Sequence, residues 1–591
     1  MRILFSYIIL FLFLSCNKLG DNNSWIRINY LGYLPNDFKN AVFVSKSVKE
    51  ISSFSIINAS DNKVHLNSDS IIFKGAYGPF SNTYRLNFTS FKKPGKYYIK
   101  VNNIKSEVFT IGEDIYDDTA DFLLKYMRQQ RCGFNPFLNE YCHQNDGFIT
   151  YHPSKNGEYL DVSGGWHDAT DYLQYSTTSA NAIYQMSLAF DENPQSFSDN
   201  YKKNGLNGKN GIPDVIDEIK FGVDWLLKMN PSNKEFYNQI ADDRDHAGYR
   251  LPHKDKVVYD SLYKGRPVYF INGEKQGLGK FKNNSNGKAS TVAKFASSYA
   301  KASKVLFKFY PDYSRDILKK GIKAYEFAKD YPGVSQTAPH KAPYYYEEEN
   351  WIDDMELAAA TLYEITKENM YKKDAIAYSE KEKISPWIGK ETLRHYQFYP
   401  FVNTGHYQGA KNFDFENKTK LFSYYDKGLD IIFQKAKENP FFYGIPFVWC
   451  SNNYVAAILT QSKLYNKLSK DDKYLEMETS LRDWLFGCNP WGKSMIVDLP
   501  SNDFSSQNPH SSLWVLEEYQ TRGGLVDGPV YGSIFNNLIG IELYNEDKLK
   551  QFQSDLVVYH DDAGDYSTNE PTMDGTASLI YYLSSLNNLV D

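Results

Sequence analysis

Two aspartates three residues apart, Asp168 and Asp171, follow a Gly-Gly pair and a Trp-His pair in DVSGGWHDATDYLQY, residues 161–175. A helix beginning near Trp166 would place both carboxylates on one face, one turn apart, where they repel each other. Acids are also common in the first turn of a helix because the dipole and the free N–H groups favour negative charge, so capping is the simpler explanation. Two acids that share one water molecule would instead use this repulsion in catalysis.

Two cysteines and two histidines form a second group that could do chemistry. Cys132 and the pair Cys142-His143 lie close together in the chain, and His167 immediately precedes Asp168. Two thiolates and two imidazoles are a set that binds zinc tetrahedrally. A disulfide between Cys132 and Cys142 is the alternative in an oxidising compartment.

The composition is that of a globular protein with an ample core. The chain has 591 residues, of which 42% are hydrophobic and 23% charged, and its net charge of −6 gives no electrostatic reason to expect nucleic-acid binding. Most of the 48 Tyr, 38 Phe and 9 Trp residues are expected in the core, but aromatic rings can also stack on the flat apolar faces of pyranose sugars. The aromatic content is therefore compatible with a carbohydrate ligand.

The N-terminal segment MRILFSYIILFLFLSC predicts export. Residues 1–15 are typical of a signal peptide, and Cys16 after a small residue resembles a bacterial lipobox. We therefore expect a lipid-anchored linker over residues 16–24 and an envelope lipoprotein, most simply of the outer membrane and facing either side of it. Plain secretion is the alternative because Phe13 is a looser fit to a lipobox.

The hydrophobic pattern changes once along the chain. Residues 25–112 alternate apolar and polar positions in short runs such as AVFVS and KYYIKV, which predicts a β-sandwich. Residues 113–591 carry apolar residues at helical spacing, as in IPDVIDEIKFGVDWLLKM, with long Gly-, Asn- and Pro-rich loops between the runs. This pattern predicts a multidomain chain, with an all-α barrel whose loops build one face.

Several stretches resemble glycoside hydrolase family 9. The first domain is similar to that family's N-terminal immunoglobulin-like domain through RINYLGYLPNDFKNAVFV and FTSFKKPGKYYIKV. The helical region is similar to its (α/α)6 barrel through DVSGGWHDATDY, NGIPDVIDEIKFGVDWLLKM, FGCNPWGKSMIV and DYSTNEPTMDGTASL. The resemblance implies an immunoglobulin-like β-sandwich followed by an (α/α)6 barrel.

The resemblance also implies catalytic roles for three carboxyl groups. Asp171 would be the general base, Asp168 would help to hold the attacking water, and Glu570 would be the general acid. An inverting glycosidase needs such an acid and base, with roughly 6.5–9.5 Å between them for the water. Pro571 places Glu570 just before a predicted helix, whose N-terminus should lower the pKa of an acid that needs a raised one. Burial or nearby carboxylates, with Asp565 as the candidate, must therefore dominate.

The resemblance extends to metal sites. Related proteins with the immunoglobulin-like domain hold a structural zinc, which here would be bound by Cys132, Cys142, His143 and His167. Asp353 and Asp354 lie where related barrels have an acidic calcium-binding pair. Two donors fall short of the six to eight oxygens that calcium takes, and an exposed helix N-terminus explains the pair as well.

Substrate contacts follow less directly. His510 matches the family's subsite histidine, but Ser511-Ser512 stand where the family pattern continues His-Arg, which puts a standard cellulose preference in doubt. Arg522 is a candidate to replace that guanidinium. The other candidates for the groove are Asp245-His246, Trp166, Trp351 and Trp449, although a buried position is the commoner fate of a tryptophan.

The leading hypothesis is an inverting endo-acting hydrolase of β-1,4-glucans. The alternatives are an exo-acting cellodextrinase, a hydrolase of xyloglucan, mixed-linkage glucan or glucosamine oligomers, and, from another class, a surface glycan-binding lipoprotein without catalysis. A replaced acid or base would favour binding alone, but all three carboxylates are present. We expect a monomer with a soluble β-glucan substrate, no nucleic-acid partner and a lipid anchor at Cys16.

Overall fold

The computed structural model describes residues 23–587, and this part of the chain begins with a β-sandwich. One sheet has the strand order β1-β2-β6-β5, the other has β4-β3-β7-β8, and β9 also pairs with β7. The strands are β1 (Ser24–Arg27), β2 (Asn40–Ser45), β3 (Phe54–Asn58), β4 (Val64–Ser68), β5 (Ile71–Tyr77), β6 (Phe80–Asn87), β7 (Gly95–Val101), β8 (Ile104–Lys105) and β9 (Phe109–Ile111).

Strand β2 shows why one sheet faces two cores. Its side chains alternate between the two faces of the sheet. Ala41 and Phe43 enter the sandwich core, whereas Val42 and Val44 pack into the core of the helical domain. The strand is apolar on both faces because the helical domain covers its outer side.

The helical domain is a double ring. Helices α2, α4, α6, α8, α10 and α14 each pack against two others of this set and close an inner ring, and α1, α3, α5, α7, α9 and α11 lie outside it. The helices are α1 (Thr119–Gln129), α2 (Ser176–Glu192), α3 (Asp214–Met229), α4 (Ala289–Leu306), α5 (Pro311–Asp330), α6 (Ile352–Thr366), α7 (Asn369–Lys381), α8 (Thr404–Asn412), α9 (Phe415–Glu438), α10 (Ser451–Ser469), α11 (Leu475–Leu485), α12 (Ser512–Glu517), α13 (Gly532–Phe535) and α14 (Met573–Ser584).

The inner and outer helices differ in burial as their sequences require. Residues 176–189 of inner helix α2 are all buried, whereas outer helix α5 buries only one stripe. Outer and inner helices alternate along the chain, so every loop that leads into an inner helix ends at the same face of the barrel. The positive ends of the inner helix dipoles converge there, which suits a face that holds carboxylates.

Short strands brace the long loops of this face. Strands β12 and β15 are parallel, and the other pairs are antiparallel. They are β10 (Gly133–Asn135), β11 (Glu140–Cys142), β12 (Phe148–Thr150), β13 (Gln174–Tyr175), β14 (Tyr237–Ile240) and β15 (Pro267–Phe270).

Buried charges join the sandwich to the barrel. Arg85 of β6 donates to the Glu476 carboxylate at 3.0 Å and to the Pro440 carbonyl oxygen at 3.1 Å. Asp37 pairs with Arg482 of α11 at 2.8 Å. Because the sandwich supplies one partner of each pair and covers the nearly fully buried Arg482, its removal should destabilise the barrel.

The predicted signal peptide and the lipidation site at Cys16 lie outside the described residues. Between residues 23 and 587, no helix combines the length and the apolar composition needed to cross a bilayer.

Candidate active site

The stretch DVSGGWHDATDYLQY is a loop, and the expected helix near Trp166 is wrong. Helix α2 begins only at Ser176. Gly164 and Gly165 have φ angles of 109° and 75°, and a Cβ atom on Gly165 would lie 2.5 Å from the Trp225 ring. The glycines therefore allow a tight turn against a buried tryptophan, which a helix could not make.

Asp168 is the buried member of the aspartate pair. Its carboxylate accepts hydrogen bonds from the Tyr346 hydroxyl and, at 3.5 Å, from the Thr178 hydroxyl. Burial raises the pKa of Asp168 well above its usual range, and the charges of Asp171 and Asp574 raise it further. The Asp168 backbone carbonyl also accepts from Met573 N–H at 2.9 Å, so this loop holds the start of α14.

Asp171 faces the open side of the same loop. Its Oδ1 accepts from Leu173 N–H at 3.1 Å, and its Oδ2 lies 3.3 Å from His246 Nε2. The Asp171 side chain is 15% exposed and that of His246 38%. Burial lowers the pKa of His246, but the hydrogen bond and the charge of Asp171 raise it to about 9. The carboxylate thus keeps contact with solvent and with an imidazolium.

Glu570 meets this loop from the other end of the chain. Its Oε1 accepts from Thr170 N–H at 2.9 Å. Burial raises the pKa of Glu570 well above its usual range, and Asp527 and Asp171 raise it further, against the opposing effect of the Thr170 N–H. A raised pKa is what a general acid requires.

The approach of Glu570 to α14 differs from the expected one. The helix begins at Met573, so Pro571 is not its first residue, and Pro571 instead forms a β-bridge with Val526. Asp565, the expected neighbour of Glu570, accepts hydrogen bonds from His560, Ser567 and Thr568. The neighbouring carboxyl group that raises the pKa of Glu570 is therefore Asp527, not Asp565.

The four Cys and His residues come together beside the catalytic loop. One ligand atom from each of Cys132, Cys142, His143 and His167 lies within 4.8 Å of all the others. Cys132 Sγ is 3.8 Å from Cys142 Sγ and 3.6 Å from His143 Nδ1, close to the edges of about 3.3–3.8 Å of a tetrahedral zinc site. Both thiols are free, so the alternative disulfide is not formed.

The surroundings of this cluster also suit a metal. His143 Nε2 lies 3.2 Å from the Asp255 carboxylate, an arrangement that fixes the orientation of a metal-binding imidazole. Cys132 N–H donates to the Gly165 carbonyl oxygen at 2.8 Å, and His167 N–H to that of Gln130 at 2.8 Å. The donor set therefore fits zinc, and it is tied to the loop that carries Asp168 and Asp171.

The expected calcium pair has a different partner. Lys294 of α4, whose side chain is 5% exposed, donates to Asp354 at 2.8 Å and also contacts Glu348. Asp353 accepts from the Asn350 side-chain amide at 2.6 Å. An ammonium group stands among these acids, and they do not form the open, oxygen-lined site that calcium needs.

His510 lies beside the catalytic loop, as expected. Its carbonyl oxygen accepts from the Thr170 hydroxyl at 2.6 Å, and its Nδ1 lies 2.7 Å from the Tyr249 hydroxyl and 2.5 Å from the Ala563 carbonyl oxygen. Both ring contacts use Nδ1, which leaves Nε2 for a substrate. Ser512 has no guanidinium to offer, and its hydroxyl donates to the Thr170 carbonyl oxygen at 3.4 Å.

A row of aromatic rings extends from His246, the partner of Asp171, across the same face of the barrel. The His246 ring packs on Tyr344, Tyr344 on His395, His395 on Trp449, and Trp449 on Tyr566, with centroids 4.8–5.7 Å apart. Trp449 was expected here, whereas Tyr344, Tyr346 and His395 were missed. The run of three tyrosines at 344–346, in a loop that leads into an inner helix, was the available signal.

Three candidate groove residues lie elsewhere. Trp166 is fully buried and its Nε1–H donates to Glu218, so it cannot stack on a sugar. Trp351 packs against Tyr378 of outer helix α7. Arg522 is exposed and pairs with Asp498 at 3.1 Å. Asp245, the neighbour of His246, is also buried, and it accepts from Tyr172 N–H in the catalytic loop at 2.5 Å.

Comparison with known proteins decides the family. Residues 116–583 match the model of glycosyl hydrolase family 9, and residues 21–106 match that of the cellulase N-terminal ig-like domain. The chain belongs to glycosyl hydrolase family 9. Membership confirms the expected fold, an immunoglobulin-like sandwich followed by an (α/α)6 barrel, and makes the chain a glycoside hydrolase.

Individual relatives match over nearly the whole chain. A xyloglucan-specific endo-β-1,4-glucanase of Bacteroides ovatus is 26% identical, over 96% of this chain and 94% of its own. A cellodextrinase of Butyrivibrio fibrisolvens is 24% identical, over 95% and 99%. The crystal structure of a metagenome-derived family 9 endoglucanase superposes with a TM-score of 0.75 at 23% identity, over 96% and 99%, which shows the shared fold.

Proposed function

We propose that this family 9 hydrolase cleaves β-1,4-glucosidic bonds in soluble glucans with inversion at the anomeric carbon. The observation that carries the proposal is the meeting of Asp171 and Glu570 at one face of the barrel, where Glu570 accepts from the N–H of Thr170, the residue before Asp171. One carboxyl is partly exposed beside an imidazole and the other has a raised pKa, as a base and an acid require.

Each carboxyl group handles one proton. Asp171 takes a proton from a water molecule as the water oxygen bonds to the anomeric carbon, and Asp168 holds that water from the other side. Glu570 gives its proton to the glycosidic oxygen as the bond from carbon to that oxygen breaks. The new reducing end then has the α configuration, because the water attacks from the face opposite the leaving group.

The substrate class is inferred from the relatives and the groove. The two named relatives act on xyloglucan and on cellodextrins, both built on β-1,4-linked glucose, and rings such as Trp449 and Tyr344 suit pyranose faces. We favour endo attack on a polymer. Exo attack on cellodextrins is the second candidate, supported by the match to the cellodextrinase over 99% of that relative.

A product profile tests the proposal. Purified protein that starts after Cys16 would be incubated with carboxymethylcellulose, mixed-linkage β-glucan, xyloglucan and cello-oligosaccharides, with chromatography of products and NMR of the new anomeric centres. A rapid fall in viscosity with α-configured ends is expected. Release of mono- or disaccharide alone indicates exo attack, and β-configured ends or no turnover of any β-glucan would contradict the proposal.

The Cys–His cluster supports a structural zinc. When bound by Cys132, Cys142, His143 and His167, zinc would fix the backbone next to Asp168, and its four protein ligands leave no position for catalysis. Elemental analysis should find about one zinc per chain. A zinc-free protein with Cys132 and Cys142 oxidised would remove this assignment.

The location of the enzyme is also a proposal. The apolar N-terminal run and Cys16 support an envelope lipoprotein. We further propose that it acts as a monomer. Labelling with a radioactive fatty acid in cells that express the full chain should mark it, and Cys16→Ser should abolish the label. Secretion of the unlabelled wild-type protein into the medium would show the lipid assignment to be wrong.

A further inference from the structure

A buried carboxyl group with no role in the scheme above lies beside Glu570. Val526 forms an antiparallel bridge with Pro571, and Asp527 N–H donates to the Glu570 carbonyl oxygen at 2.9 Å. This register places Asp527 opposite Glu570, and directly opposed residues project to the same side with Cβ atoms about 4.5–5.5 Å apart. Since Asp527 is 1% exposed, its carboxyl group faces Glu570 in the protein interior.

The contacts of Asp527 are few. Its Oδ1 accepts a hydrogen bond from the Cys450 thiol at 3.3 Å. Its Oδ2 is buried and has no hydrogen-bond partner within residues 23–587. A buried carboxylate with one weak thiol donor is costly to the fold. Such a cost is typical of a group kept for its effect on a neighbour.

We propose that Asp527 is a positioning residue that keeps the catalytic proton on Glu570. This inference rests on the role proposed above for Glu570. Two carboxyl groups so close together in a buried site ionise one at a time and hold one proton between them. The Cys450 thiol favours the anion at Asp527, and the Thr170 N–H favours the anion at Glu570. We assign the shared proton to Glu570 because that carboxyl group reaches the catalytic loop, where a glycosidic oxygen can accept it.

The proton balance follows from this pairing. During bond cleavage the O–H bond of Glu570 breaks, its proton passes to the glycosidic oxygen, and both carboxyl groups are then anions. Their repulsion favours the return of a proton from solvent to Glu570, while Asp171 releases to solvent the proton that it took from the attacking water and Asp527 stays ionised. The pair thus resets the acid for the next turnover without another reactant.

Other charges reach the pair from the surrounding loops and helices. Asp171 raises the pKa of Glu570 and His246 lowers it, whereas burial and Asp527 are the larger causes of its rise. Burial raises the pKa of Asp527 also, and the Cys450 hydrogen bond opposes that rise. The remaining titratable groups that act on one or both carboxyls are Tyr126, Asp168, Tyr249, Tyr344, Asp565, Tyr566 and Asp574.

The test compares pH profiles on two substrates. Asp527→Asn keeps the shape of the side chain and removes its charge. On cellotetraose, the fall of kcat/KM at high pH should begin about one pH unit or more lower than in the wild type. The reason is that Glu570 loses its proton more easily without the charge of Asp527. On 2,4-dinitrophenyl β-cellobioside, whose leaving group needs no proton, the variant should stay within a few-fold of wild type. An unmoved alkaline limb on cellotetraose would overturn the proposal.

A second pair of variants covers the case in which Asp527→Asn fails to fold. Cys450→Ala removes the donor to Asp527, so part of the proton moves to Asp527 and the plateau rate on cellotetraose should fall about tenfold. Cys450→Ser keeps a donor and should restore that rate. Equal plateau rates in both Cys450 variants and wild type would contradict the role of Asp527.

Failure of the underlying assignment has a different signature. If Glu570→Gln is as inactive on 2,4-dinitrophenyl β-cellobioside as on cellotetraose, Glu570 is not the acid, and the proposed function fails. If Glu570→Gln behaves as an acid variant while Asp527→Asn has a wild-type profile, only the inference about Asp527 fails.

Discussion

The two sides of the active site use the same functional group in opposite surroundings. Asp171 is partly exposed and faces the imidazole of His246. Glu570 faces the buried carboxyl of Asp527, and burial raises its pKa. Both groups lie on loops that lead into inner helices of the same barrel. The difference teaches that the neighbours, and not the helix dipoles shared by the whole face, assign the roles of base and acid.

The largest loss of activity should come from a change on the base side of the site, the side that holds Asp171 and Asp168. Asp171→Asn removes the group that accepts the proton from water, and we expect kcat to fall on the order of 10⁴-fold on glucans and on aryl glycosides alike. Azide, which needs no deprotonation, should restore part of the rate on the aryl glycoside. Steady-state kinetics with and without azide would check this, and near-normal turnover by the variant would reverse the assignment.

The matching change on the acid side should separate the two substrates. Glu570→Gln cannot protonate a leaving group, so its kcat on cellotetraose should fall by about 10²- to 10⁴-fold. On 2,4-dinitrophenyl β-cellobioside it should retain far more of the wild-type rate. The comparison of the two sides fails if Asp171→Asn and Glu570→Gln respond to the substrates in the same way.

A smaller effect should follow from loss of one contact on the base side. Tyr346→Phe removes the hydroxyl that donates to Asp168 and leaves a buried carboxyl oxygen without this donor, at a cost of about 1–3 kcal/mol. We expect kcat to fall about 10- to 100-fold with little change in KM. Tyr345→Phe, in the adjacent residue, is the control and should keep the wild-type kcat. An equal response of the two variants would exclude a role for the Tyr346 hydroxyl.

Removal of zinc should affect catalysis only through the Asp168–Asp171 loop. The proposed zinc ligands adjoin the Asp168 loop, so treatment with 1,10-phenanthroline should lower kcat about tenfold and Tm by about 5 °C or more. Added zinc should reverse both effects. The alkaline limb of the pH profile, which reports Glu570, should not move, and a shift of that limb would show that the two sides are not independent.

The smallest effect on catalysis is expected from the domain interface. Arg85→Met leaves the Glu476 side chain, which is 26% exposed, and the Pro440 carbonyl oxygen without their buried donor. It should cost about 1–3 kcal/mol of stability, seen as a lower Tm, with kcat/KM unchanged on both substrates. Lys63→Met breaks the exposed pair with Asp61 in the same domain and should leave Tm unchanged. A changed kcat/KM in Arg85→Met would mean that the sandwich shapes the active site.

The sequence predicted what depends on long patterns and ordered motifs. The switch in hydrophobic period separated the sandwich from the barrel, and the helical run at residues 212–229 contains α3. The Cys–His set was predicted from residue types, and the structure brings it together. The catalytic roles of Asp168, Asp171 and Glu570 stay predictions, although the structure places all three in one site.

Contacts between distant segments could not be predicted. Asp527 lies 43 positions before Glu570, and only the bridge between Val526 and Pro571 makes them neighbours. Trp166 was a candidate for the groove, but after the turn at Gly165 it lies in the core. Short spacing shows which residues share a loop and does not show which way each side chain points.

Lys294 gives the barrel a property that a bound ion would not. The positive charge that offsets Asp354 and Glu348 is synthesised with the chain, one per molecule, and cannot dissociate. The start of α6, and the Tyr344–Tyr346 segment in front of it, therefore fold without any equilibrium with dissolved calcium. This part of the groove therefore stays assembled whatever the calcium concentration of the surrounding water.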